Sequence, residues 1–211
     1  MPPRIFVSAV FAAFSMMPVW AEGAPTLIDF DDPTLSSGDI VGSTFSGLGV
    51  TFTDAEIFAA NRLGQSMPNV INHDTLNFQI DPSDPIEATF AFDVSFVGVR
   101  GLDAGIAGVL LRAYDSVVGG TLIGSDQAVG SGLGVNQFFD LQVSGANIRR
   151  VEMSQVADNS SDGIAFDDFT FTQGQITSIP IPATIGLLAF SLACLAGAFG
   201  LKNRSIRKHV V

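Results

Sequence analysis

The chain has 211 residues, and its 21 acidic against 10 basic residues give a formal net charge of −11 at pH 7. That balance is the reverse of the basic patches that grip phosphate backbones, so no nucleic acid is expected among its partners. With 47% hydrophobic and 15% charged residues the sequence is too apolar for disorder, and its one cysteine, Cys194, excludes an internal disulfide, while His73 and His209 are too few for a zinc or iron site of the usual kind.

The first element is a targeting segment. Met1-Pro2-Pro3-Arg4 gives a short positive start, Ile5 to Met17 is uncharged and largely apolar, and Val19-Trp20-Ala21 offers the small or branched residues that a signal peptidase reads. Residues 1–21 are therefore expected to be a signal peptide cut after Ala21, with residues 22–177 folding outside the cytoplasm as one domain.

Within that domain short apolar runs recur between Gly and Asp: Thr26 to Phe30, Val50 to Thr53, Leu76 to Ile80, Ile86 to Phe92, Val94 to Val99, Val109 to Tyr114, Thr121 to Ile123, Phe138 to Val143, Ile148 to Gln155 and Ile164 to Phe171. Ile86, Ala88, Phe90 and Phe92 share the core parity, while Glu87, Thr89 and Ala91 face out. Asp54 to Arg62 is the one stretch compatible with a short turn of helix. Turn residues such as Val118-Gly119-Gly120, Gly130-Ser131-Gly132 and Ser144-Gly145 separate the runs. The pattern predicts an all-β fold, an antiparallel two-sheet sandwich of jelly-roll type.

Candidate chemistry is sparse. His73 is the sole histidine of the exported region, and in Asn72-His73-Asp74 it reads as a surface residue rather than a base. The acidic loops Asp81-Pro82-Ser83-Asp84 and Asp158 to Gly163 lack EF-hand spacing and read as turns. Sugar faces stack on exposed Trp or Tyr, yet Trp20 lies in the signal peptide. Tyr114, beside Arg112 and Asp115 at a strand end, is thus the binding candidate; the alternative is that it simply rims the sheet. Phenylalanines of the domain are mostly at core parity.

In the last run Ile164 and Phe166 share one parity and Phe169 and Phe171 the other. Either a β-bulge at Asp167-Asp168 returns the apolar side to the core and aims one carboxylate at an edge, or both faces are partly covered. The ending Gly163 to Phe171, GIAFDDFTF, is similar to the closing strand of carbohydrate-binding jelly rolls. That resemblance implies a structural calcium between the first and last strands, held by Asp31 and Asp168 with Asp29 and Asp167 behind them. The competing reading is that loop aspartates cap turns.

After the domain, residues 178–211 carry no charge until Lys202. The run from Ala183 to Leu201 is 19 residues long. At 1.5 Å per residue it spans about 28 Å, close to the roughly 30 Å of a bilayer core, and predicts a transmembrane helix. Lys202, Arg204, Arg207 and Lys208 follow in a basic tail that the positive-inside rule places in the cytoplasm. Just before the helix stands Ile179-Pro180-Ile181-Pro182-Ala183. Two prolines at alternate positions hold the chain extended outside the membrane, as a protease requires.

This motif, helix and basic cluster resemble the VPLPA-type variant of the PEP-CTERM sorting signal. Pro180, Pro182 and Ala183 match that pattern, while Ile179 and Ile181 replace its Val and Leu. The resemblance implies a precursor exported across the inner membrane of a Gram-negative bacterium and anchored there. It further implies processing by an exosortase-like membrane protease, then release to the envelope or extracellular space in a setting of exopolysaccharide. The expected function is a non-enzymatic envelope or matrix protein, a glycan-associated binding or structural module with no cofactor other than a structural calcium; the alternative is a secreted glycan hydrolase with an Asp/Glu pair about 5 to 10 Å apart. Removing both ends would leave 5 basic against 21 acidic residues, a charge of −16.

Overall fold

The computed structural model describes residues 23–60, 65–66, 68–73, 78–157 and 163–174. The expected signal peptide 1–21, the expected sorting motif 179–183, the apolar run 183–201 and the basic tail lie outside the described residues. Every described residue belongs to one compact unit. Among the described residues no helix is long and apolar enough to cross a membrane.

The described residues form nine strands: β1 (Thr26–Ile28), β2 (Val50–Thr53), β3 (Glu56–Ala59), β4 (Asn69–Asn72), β5 (Ile86–Leu102), β6 (Val109–Tyr114), β7 (Leu122–Ala128), β8 (Phe138–Ser154) and β9 (Ala165–Gln173). All pairings are antiparallel. The strands are hydrogen-bonded in the order β3-β4-β9-β5-β8-β6-β7, with β1 added to β9 and β2 to β5. The all-β class is as expected. Hydrogen bonding links the strands into one continuous nine-stranded sheet, in which β5 and β8, each 17 residues long, run through the bend that was read as an interruption.

Two irregularities allow this. Register shifts between Thr89 and Phe96 break the pairing of β5 with β8, and Asn147 adopts a left-handed φ of 62° inside β8. Bulges of this kind bend a strand and raise its twist without ending it. The expected Ser144-Gly145 turn is therefore an interior kink of β8. Before the irregularity Ile86, Ala88 and Phe90 are buried, as predicted; after it Val94, Val97 and Val99 take over the inner face.

The inner side chains of both halves belong to one core, including Phe52, Phe90, Phe169 and Phe171 with Val97, Leu111, Leu141, Val151 and Met153. Phe169 anchors it, edge-on to Phe52 at 5.2 Å between ring centroids and stacked on Phe90 at 6.2 Å. Each such buried aromatic contributes roughly 1.5–3 kcal/mol of transfer free energy.

Elsewhere the sequence misleads locally. The segment read as a helical turn, Asp54 to Arg62, contains β3, whose partner β4 escaped notice because Asn69 and Asn72 flank only two apolar residues. Ile80 is buried, yet Phe78 has φ 51° and residues 78–80 are not strand, so the expected Leu76 to Ile80 run fails in its described part.

Candidate functional site

The closing strand decides the site. Gly98 of β5 pairs with Thr170 of β9 and Arg100 with Asp167, so one residue too many stands on β9 between them. Asp168 has a left-handed φ of 48°, the signature of a bulge at Asp167-Asp168. The bulge returns Phe169 and Phe171 to the inner face beside Phe166, all three buried. Of the two readings offered by the parity change, the bulge is the one adopted.

Its second effect is to send consecutive aspartates to different places. Asp167 turns inward and is fully buried. Its Oδ2 accepts the Ser66 N–H at 2.6 Å, its Oδ1 accepts the Asp168 N–H at 2.7 Å, and the Ser66 hydroxyl donates to the same carboxylate at 3.0 Å. Burial pushes the Asp167 carboxyl up to about 7 despite these donors, with the charge of Asp168 adding to the rise. Asp168 turns outward and accepts from Arg100 Nη1 at 2.9 Å. Burial raises its pKa too, against the pull of Arg100.

Arg100 also donates from Nε to Asp140 Oδ1 at 2.7 Å, and that hydrogen bond raises its own pKa. These three charged groups lie across the outer face of β9, β5 and β8. The next row of the same face, matched by register, is Leu27, Thr170, Gly98 and Gln142. Gly98 has no side chain to fill the row, and the Phe96 ring leans toward it, leaving 3.3 Å to the place a Cβ would occupy. The result is an open groove of about 450 Å³ with a polar end (Arg100, Asp140, Asp168), an amide and a hydroxyl along it (Gln142, Thr170), and apolar walls (Leu27, Phe96). Phe138 extends the aromatic surface, with Arg100 5.3 Å from its ring centroid.

Chemically, the groove offers fixed hydrogen-bond donors and acceptors beside apolar carbon surface, the combination that binds a polar, hydroxyl-bearing ligand. The hydrolase alternative requires two carboxylates free to act on a bond placed between them. Asp140 and Asp168 share one groove, but the Arg100 guanidinium holds both.

The four acidic residues expected to share a calcium lie near one another, with the Ser66 hydroxyl in reach of both the Asp29 carbonyl and the Asp167 carboxylate, but each carboxylate is engaged by a donor of the protein. β1 does lie against β9, with Leu27 opposite Thr170. Asp29 Oδ1, however, accepts the Asp31 N–H at 3.2 Å, and Asp31 Oδ1 accepts the Asn69 N–H at 2.8 Å. Asp167 is occupied by Ser66 and Asp168 by Arg100, and among the described residues these carboxylates do not converge as three ligands on one point. Protein N–H, O–H and guanidinium donors engage the carboxylate oxygens that a hard cation would take as ligands.

Tyr114 and Arg112 occupy a different part of the outer face. The Tyr114 hydroxyl donates to Glu152 Oε2 at 2.8 Å, Arg150 lies 4.3 Å over its ring, and Arg112 approaches Glu152 at 3.7 Å. Burial raises the Tyr114 pKa, with the Glu152 hydrogen bond in support. Arg150 is itself buried, pairs with Glu87 and Glu152, and donates to the Gly119 carbonyl at 3.1 Å. Tyr114 therefore rims the sheet with one ring face spent on Arg150. The groove residues Phe96, Arg100, Asp140 and Gln142 were not singled out in the sequence. Their signal was the outward parity of 96, 98 and 100 and of 140 and 142, which gains meaning only when the β5–β8 register is known.

No protein-family model and no curated protein matches the chain. Among solved structures, the K2 cleaved adhesin domain of Lys-gingipain is similar over 72% of this chain and 99% of its own, at 14% identity and a TM-score of 0.45. A family 29 carbohydrate-binding module from Piromyces equi is similar over 75% and 95%, at 11% identity and a TM-score of 0.40. A third, a carbohydrate-binding module from Clostridium stercorarium in complex with cellobiose, aligns over 60% and 86%, at 14% identity and a TM-score of 0.33. No residue role passes from these proteins to this chain.

Proposed function

We propose that the chain is an exported, non-catalytic envelope or matrix protein whose β-domain binds polysaccharide in the groove on the outer face of β9, β5 and β8. One observation carries the reading: Arg100, fixed between Asp140 and Asp168, faces Leu27 and Phe96 across an open glycine-floored groove. A sugar presents hydroxyls at its rim and C–H groups on its faces, so it uses both kinds of wall. An open groove also suits a chain that passes through rather than a small molecule that is enclosed. In this reading the bent sheet acts as a jelly-roll sandwich, the two halves of β5 and β8 supplying facing layers.

Export and sorting belong to the same proposal and rest on the sequence. Arg4 with its apolar run, the motif Ile179 to Ala183, the apolar run 183–201 and the basic tail support a membrane-anchored precursor handled by an exosortase-like protease. Intact-mass measurement on protein from the native host is expected to give a chain from Glu22 to near Pro182. A mass that still includes residues 183–211 refutes the processing step.

A glycan array probed with residues 22–177 tests the binding. Acidic or neutral polysaccharide should be retained by the wild type, weakened about tenfold by Arg100→Ala or Phe96→Ala, and unaffected by Tyr114→Phe. Binding insensitive to both groove variants refutes this site.

A further inference from the structure

Asp54, His73 and Asp84 come from three separate segments: the turn leaving β2, the residue after β4, and the turn before β5. One ligand atom from each lies within 4.8 Å of the other two. Among the described residues His73 Nε2, shut off from solvent, makes no hydrogen bond, although Asp84 Oδ2 stands 3.3 Å away. A buried imidazole nitrogen without a partner is costly, and each one in a folded protein requires an explanation.

The neighbouring turn shows which carboxylate is available. Asp81 accepts from the Ser83 N–H at 2.7 Å and from its hydroxyl at 2.8 Å, so Asp81 closes the turn. Asp84 donates its backbone N–H to the Asp81 carbonyl at 3.0 Å, and its carboxylate faces His73. The described arginines, Arg100, Arg112, Arg149 and Arg150, pair with other carboxylates, so among the described residues no arginine neutralises Asp54 and Asp84.

The donor set selects the ion. Calcium and magnesium take oxygen ligands, whereas an imidazole with carboxylates suits zinc and its neighbours. Tetrahedral zinc with bonds of about 2.0–2.1 Å separates its ligand atoms by about 3.3–3.4 Å. The observed 3.3 Å between His73 Nε2 and Asp84 Oδ2 is that edge. Asp54 and Asp84 are exposed, so rotation of their side chains can close the remaining distance.

We propose that Asp54, His73 and Asp84 form a site for a zinc-class divalent cation, with three protein ligands and a fourth position taken by water. It departs from the expectation drawn from counting histidines, since carboxylates replace the missing soft ligands. Such an ion ties the end of β2 to the end of β4 and the entry of β5. Binding to the folded state alone stabilises it by mass action.

The test is calorimetry and thermal unfolding of the full-length chain with zinc chloride. One ion per chain and a raised melting temperature are expected, with calcium and magnesium producing neither. His73→Gln should weaken binding by at least about tenfold and remove the thermal shift, and this variant retains His209, so the loss assigns the site. Asp54→Asn, at an exposed position, should do the same if His73→Gln fails to fold. Absence of saturable zinc binding at millimolar concentration, or equal affinity in wild type and variant, overturns the proposal.

Discussion

Asp167→Asn is the perturbation that tests the closing strand most directly. Asp167 is fully buried and its pKa is raised from 3.8 to about 7, chiefly by burial. The unfolded chain titrates near the ordinary value, so between the two the folded state holds the extra proton. For a raised folded-state pKa, the contribution to stability is complete below the unfolded value and is lost as pH rises through the folded one. At about 1.4 kcal/mol per pH unit the full span is about 4 kcal/mol, of which about 2.5 kcal/mol falls between roughly pH 5 and pH 8. Asparagine does not titrate. Its amide also faces one of the two backbone N–H donors that the carboxylate accepts, which costs about 1–3 kcal/mol at every pH. Urea unfolding of the domain at a series of pH values should therefore show wild-type stability falling toward pH 8 and the variant following a flatter line. A residual slope of the same sign remains in the variant, because Asp168 is raised as well. Parallel curves for the two proteins, or wild-type stability that climbs from pH 5 to 8, would refute the reasoning.

Three further outcomes are expected. Phe169→Ala empties the centre of the aromatic cluster and should cost about 3–5 kcal/mol in chemical denaturation; a loss under about 1 kcal/mol would mean that the core is not closed around it. Gly134→Ala should lower the melting temperature measurably, because Gly134 has φ 69° and an added Cβ would meet Gly105 N at 2.1 Å. Millimolar calcium is expected to leave the melting temperature unchanged, since Asp29, Asp31, Asp167 and Asp168 are engaged by protein donors; a clear upward shift would restore a shared calcium site.

Period-two alternation was legible wherever one face is cleanly buried. Val50–Thr53 and Val109–Tyr114 are strands at their expected bounds, and Ile86, Ala88 and Phe90 face the core. The parity change at Asp167-Asp168 named the bulge but left its occupancy open. What stayed hidden depends on pairing. Asn147, with φ 62°, carries turn chemistry inside β8, because a bulge uses the same left-handed backbone that a turn does. β4 has two apolar residues between two asparagines, a pattern that becomes strand only when β3 and β9 supply its partners. The groove was hidden for the same reason: Phe96, Arg100, Asp140 and Gln142 are ordinary outward residues until register sets β5 beside β8.

The place of β9 has a consequence for the order of assembly. It lies between β4 and β5 in the sheet, and it also carries β1, with Thr26 opposite Phe171. Until residues 165–173 are present, β4 and β5 expose bare edges toward each other and β1 has nothing to join. A chain emerging from its N-terminus thus cannot close its sheet until β9 arrives. Such long-range pairings are made in milliseconds to seconds rather than microseconds. The interval is one in which open edges invite the wrong neighbour, and a chaperone that shields them would act at that step.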